Sequence, residues 1–119
     1  KEEITVRFHN VMDMIGNIFS GDLSLSKFSL SPLFYSLFVV LYHMNYGIPD
    51  FPFDRVEINP KKYSQVRSAL DEIEELFIAE GLTAMQQDFI TACKKSTTHK
   101  INKKKRCDYL AQTILRYIE

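Results

Sequence analysis

The sequence predicts an all-α domain, a bundle of about five helices around a central apolar helix over residues 32–46. Three observations predict it. Apolar side chains recur at steps of three and four along five separate segments, a spacing that gathers them on one face of a helix. No segment alternates apolar and polar residues convincingly at period two, so half-buried strands are not indicated. Helix starts are marked by Ser31-Pro32 and Asn59-Pro60, and stops by Gly21, Gly47 and Gly81.

The first segment places Ile4, Phe8, Val11, Met12, Ile15, Ile18 and Phe19 on one side, with Glu3, Arg7, Asn10, Asp13 and Asn17 on the wet side. Ser24 to Ser31 is a short connector. Ser31 reads as a cap before Pro32, and the helix that follows carries Leu33, Phe34, Leu37, Phe38, Val40, Leu41 and Met44, with Val39 and Tyr42 on other sides. A helix apolar nearly all round belongs at the centre of a bundle. Gly47 ends it and Pro49 prevents its continuation. Phe51, Pro52, Phe53 and Val56 then suggest a packed loop.

The third helix, opened by Asn59-Pro60 and closed by Gly81, sets Tyr63, Val66, Leu70, Ile73 and Phe77 on a seam of just over two heptads. That is too short for a coiled coil and suits a bundle. A shorter fourth helix points Met85, Phe89, Ala92 and Cys93 inward. A fifth, from about Ile101 to Ile118, buries Cys107, Leu110, Ile114, Tyr117 and Ile118.

At 119 residues, with 45% apolar and 25% charged side chains, the chain is sized for one globular domain spanning residues 1–119. It opens Lys1-Glu2-Glu3 without an initiator Met, which suggests a fragment of a longer protein. The run from Leu33 to Tyr42 is too short to span a membrane, which takes ~20 residues. Cys93 and Cys107 have no metal-type spacing and read as reduced thiols of a cytoplasmic protein.

Formal net charge is zero, but one stretch is strongly basic. Lys94, Lys95, Lys100, Lys103, Lys104, Lys105 and Arg106, together with His99, run without an acid between them. Such a cluster can neutralise phosphates; equally, it can be a solvated helix start. Cations in the first turns of a helix oppose its macrodipole, which a purely structural sequence would avoid. Arg106 lies beside Leu110 on the helical wheel and reads equally well as a partly buried ion-pair residue.

The opposite charge gathers at Asp71, Glu72, Glu74, Glu75 and Glu80. Asp71, Glu74 and Glu75 share a face that reads as the wet side of the third helix rather than as a cation site. Tyr35, Tyr42 and Tyr46 flank the central helix as core residues or, alternatively, as a stacking face. No HxH, HExxH, CxxC, GxGxxG or Walker loop occurs, so no catalytic residue, metal or cofactor is assigned.

The stretch Ser29-Leu30-Ser31-Pro32-Leu33-Phe34-Tyr35-Ser36-Leu37-Phe38, followed by Leu41-Tyr42-His43 and Tyr46-Gly47-Ile48-Pro49, resembles a helical region of the ParB-like-nuclease proteins related to GmrSD-type phage-restriction enzymes. Thr97-Thr98 with Arg106, Tyr109 and Leu110 resembles that region's closing pattern, with lysines where the family carries arginine spacing. The resemblance implies a non-catalytic accessory domain that packs on an upstream catalytic domain of the parent chain and contacts DNA. The family's catalytic signature is absent here, so no catalytic role carries over. The alternative expectation is a protein-interaction module, including a homo-oligomer formed through the apolar faces of the first and third helices.

Overall fold

The computed structural model describes residues 2–119, with the side chain of Glu2 left aside. Five helices follow one another: α1 (Glu2–Phe19), α2 (Ser31–Tyr46), α3 (Tyr63–Glu75), α4 (Ala84–Lys94) and α5 (Lys100–Ile118). Short 3-10 turns at Leu23–Leu25, Lys27–Ser29 and Pro60–Lys62 join them. The described residues contain no strand.

The apolar circumference of α2 puts it in the middle, as expected. It buries Leu33, Ser36, Leu37, Val40, Leu41, His43 and Met44, and packs on α1 and α5. The centre is shared, because α5 touches α2, α3 and α4. The amphipathic helices turn their apolar faces to this pair. Val66, Ala69, Leu70 and Ile73 come from α3, Phe89 and Ala92 from α4, and Leu110, Ala111 and Ile114 from α5.

Several local expectations are corrected. Ser31 is not the cap of α2: Leu30 holds that position, and Ser31 is already helical. The serine that caps here is Ser26, whose hydroxyl accepts from the Phe28 amide at the preceding 3-10 turn. Helix α3 stops at Glu75, well before Gly81, and unwinds through tighter turns in which the amides of Leu76, Phe77 and Ile78 bond three residues back. Met85 sits in the first turn of α4 and is 63% exposed rather than inward. The start of α4 is instead fixed by a capping box, Thr83 with Gln86, which satisfies two otherwise orphaned amides.

Helix α1 departs most from its expected role. Its second half buries Val11, Met14, Ile15, Ile18 and Phe19, while Ile4, Val6 and Phe8 on its first half remain 63%, 55% and 47% exposed. Met12, expected inward, is 37% exposed, and Met14, outside the expected stripe, is buried in its place.

The loop after α2 is packed, as its aromatic content suggests. Gly47 takes φ +86°, a conformation that strains residues with a Cβ, and a Cβ there would lie 3.1 Å from Arg55 Cδ. His43 then holds the loop with both ring nitrogens. Its Nδ1 accepts from the Ile48 amide at 3.0 Å, which leaves Nε2 to donate to the Phe53 carbonyl at 2.6 Å. Asn45 accepts from the Ile58 amide at 2.7 Å, seating Ile58 in the core.

Candidate nucleic-acid interface

The basic segment occupies the end of α4, the turn that follows, and the first two turns of α5. Its shape comes from local sequence. Ser96 adopts φ +48° to turn the chain, and Asn102 reaches back to donate to the carbonyls of Lys95 and Ser96. His99 stands at the N-cap of α5 without a side-chain cap bond, and no acid lies in the first turn.

Within this segment the seven candidate residues separate into three groups. Arg106 is corrected outright: it is 1% exposed and cannot meet a phosphate from that position. Its Nη1 donates to the Ala92 carbonyl at 2.7 Å, Nη2 to the Thr97 carbonyl at 2.9 Å, and Nε to Ser36 Oγ at 3.0 Å. Ser36 Oγ in turn donates to the Pro32 carbonyl at 2.9 Å. Nor is it the ion-pair residue that was the other expectation, since it contacts no carboxylate among the described residues. Ala92 lies in the last turn of α4, where carbonyls have no helical partner and the macrodipole is negative. The guanidinium therefore closes the end of α4 and ties it to α2 through Ser36.

Lys104 and Lys105 form the second group. Lys104 pairs with Asp108 at 2.6 Å and Lys105 with Asp88 at 3.0 Å, so much of their charge is answered within the domain. Lys94, Lys95, Lys100 and Lys103 form the third. All four are exposed and none meets a carboxylate among the described residues. Lys103 instead holds its ammonium 5.8 Å from the ring centroid of Tyr35.

The three tyrosines separate as well. Tyr42 and Tyr46 are half-buried against α1, where Asn10 donates to the Tyr46 hydroxyl at 2.9 Å and the Arg7 guanidinium lies 4.9 Å from the Tyr46 ring. Tyr35 is 54% exposed and faces the lysines.

The remaining reactive residue types do not converge. Among the described residues no three of His, Cys, Asp and Glu group to hold a metal. Three acids of α3 have internal partners. Asp71 pairs with Arg67, Glu74 accepts from the Lys27 amide, and Glu72 takes both Arg116 and the Tyr117 hydroxyl. Burial pushes the Cys93 thiol up to about 12, against the opposing pull of Arg106 and Lys94, and raises Cys107 as well. Both shifts disfavour the thiolate that nucleophilic chemistry requires. A small concavity, about 170 Å³ beside Phe89 and Tyr109, is bordered by the Lys105–Asp88 pair.

Sequence reasoning missed the pairing of Ser36 with Arg106. Its signal was present: Ser36 is the one polar residue in the apolar run from Leu33 to Tyr42, and a buried hydroxyl needs a partner.

No described helix is long and apolar enough to cross a membrane. No protein-family model, curated protein or solved structure matches the chain.

Proposed function

We propose that the chain is a non-catalytic helical accessory domain of a prokaryotic DNA-processing or phage-defence protein, working in the cytoplasm and contacting nucleic-acid phosphates through Lys94, Lys95, Lys100 and Lys103. The observation that carries this reading is the set of four exposed lysines with no carboxylate partner among the described residues. Two of them, Lys100 and Lys103, stand in the first turn of α5. A cation at a helix N-terminus loses roughly 0.3–1 kcal/mol of macrodipole stabilisation relative to an acid's gain there. Placing two there with no carboxylate partner among the described residues favours an external anion. The resemblance of residues 29–49 to ParB-like-nuclease proteins supports an upstream catalytic domain as the neighbour in the parent chain.

Binding of labelled duplex and single-stranded DNA across a salt series tests the proposal. Replacing the four lysines by Gln is expected to lower affinity for both and to flatten the salt dependence, by about 0.9 in log–log slope for each duplex phosphate no longer neutralised. Identical affinity and slope in the variant would remove nucleic acid from the function.

A second reading, a protein-interaction module, is favoured by one observation: the uncovered face of α1. Ile4 and Phe8 are four residues apart on that helix and both are exposed, which suits pairing with a second copy of the chain. Sedimentation over a range of concentrations separates the readings. Self-association abolished by Ile4→Glu with Phe8→Glu supports the dimer; a monomer at every concentration counts against it.

A further inference from the structure

We infer that the groove between α2 and α5, beneath the loop from Pro49 to Pro52, receives a base of a single-stranded nucleic acid stacked on Tyr35, with the adjoining phosphates held by Lys100 and Lys103. This deepens the phosphate-contact reading and rests on it. The groove encloses about 330 Å³ and is lined by Tyr35, Val39, Pro49, Phe51, Lys100 and Lys103, among others. Its size falls at the lower end of ligand sites, which run ~300–1,000 Å³. The lining is mostly apolar, and its cations all come from α5.

Tyr35 is out of place on structural grounds. It belongs to the most buried helix of the bundle, yet its ring is 54% exposed. Lys103 stands at the outer limit of cation–π range, 5.8 Å from that ring, so it is near enough to meet the phosphate of a base stacked there. Phe51, from the loop, also lines the groove and is held by stacking on His43, with centroids 4.2 Å apart and planes 26° from parallel. Two carboxylates also border the groove, Asp50 on the loop and Asp108 on α5. Asp108 is already answered by Lys104 at 2.6 Å, and with Lys100 and Lys103 set against Asp50 the rim stays cationic.

The spacing of ring and cation is set by the buried network. Ser36 follows Tyr35 directly, and Arg106 lies one helical turn beyond Lys103. The 3.0 Å bond between Arg106 and Ser36 therefore fixes the register of α5 against α2. The site is thereby assembled before any ligand arrives.

Two features select single-stranded nucleic acid. In a duplex the base faces are covered by their neighbours, whereas a single strand offers them to an aromatic ring. The cations lining the groove are all lysines. Lysine meets phosphate as a point charge, while planar carboxylate recognition favours the arginine fork. An acidic peptide is thus the weaker match.

The test uses a single-stranded oligonucleotide carrying 2-aminopurine, the duplex of the same sequence, and a Glu- and Tyr-rich peptide. The single strand is expected to bind more tightly than the duplex, with 2-aminopurine fluorescence quenched in the wild-type complex. Tyr35→Ala should weaken single-strand binding roughly 5- to 150-fold, leave duplex binding and the salt slope unchanged, and be rescued by Tyr35→Phe. Circular dichroism of Tyr35→Ala reports that it is folded, and the quenching measurement needs no variant. Lysine-dependent binding that ignores Tyr35 and leaves the fluorescence unchanged overturns the groove while sparing the lysine edge. No binding to either nucleic acid overturns both. Tighter binding of the peptide than of the oligonucleotide overturns the choice of ligand.

Discussion

Replacing Arg106 by Met keeps most of the buried volume and removes every donor. Three acceptors then change. The Ala92 carbonyl loses a 2.7 Å bond inside the protein, the Thr97 carbonyl a 2.9 Å bond at its edge, and Ser36 Oγ one of its two bonds. A buried acceptor left without a donor costs about 1–3 kcal/mol. Ala92 bears that in full, Thr97 less because water reaches it, and Ser36 least because it still donates to Pro32. Against this, a cation no longer has to be held out of water, which returns part of the loss. The net expectation is a destabilisation of roughly 1–3 kcal/mol. Arg106→Ala adds a cavity and should cost about 2–5 kcal/mol more, a large share of the ~5–15 kcal/mol that holds a typical domain folded. Urea unfolding followed by circular dichroism measures both, with the slope unchanged for a purely energetic effect. An Arg106→Met midpoint equal to or above that of the wild type would refute the reasoning.

Two further outcomes follow from the titrating groups. Hydrogen bonds from Arg116 and then Tyr117 hold the Glu72 carboxyl below its ordinary value of 4.5. A depressed carboxyl stabilises the fold above its unfolded value, and that contribution fades as pH falls through the lower folded value. With the side chain 35% exposed, the effect should stay below ~1 kcal/mol. Urea midpoints of the wild type and Glu72→Gln should differ at neutral pH and converge below about pH 4.5; a gap that persists into strong acid contradicts the assignment. For Cys93, raised to about 12 by burial, a thiol reagent at neutral pH should react slowly in the folded protein and rapidly once it is unfolded. Rapid native labelling of Cys93 would contradict the burial.

The helices were legible because each apolar stripe is a local property, and three to four residues of spacing decide it. Coverage is not local. Ile4 and Phe8 continue the stripe of Ile15 and Phe19 without a break, yet the latter pair is buried while Ile4 stays 63% exposed and Phe8, although it meets Phe38, 47% exposed. The basic segment misleads in the same way. Seven cations in thirteen residues read as one patch, but a helix shows its residues to every direction. The same stretch sends Arg106 into the core and Lys103 towards Tyr35. What distinguishes them is the company they keep, Leu110 one turn away for Arg106 and a serine seventy positions upstream. The first clue is visible in a helical wheel, and the second requires the fold.

Helix α4 is the shortest of the five and buries only Phe89 and Ala92 fully. Taken alone it would be the first part to peel away. Its last turn is fastened by a side chain from α5 that also grips α2, so α4 cannot leave without breaking a bond at the middle of the molecule. A weakly anchored segment is thus drawn into the same cooperative unit as the core. Its amides should exchange with solvent at the pace of global unfolding.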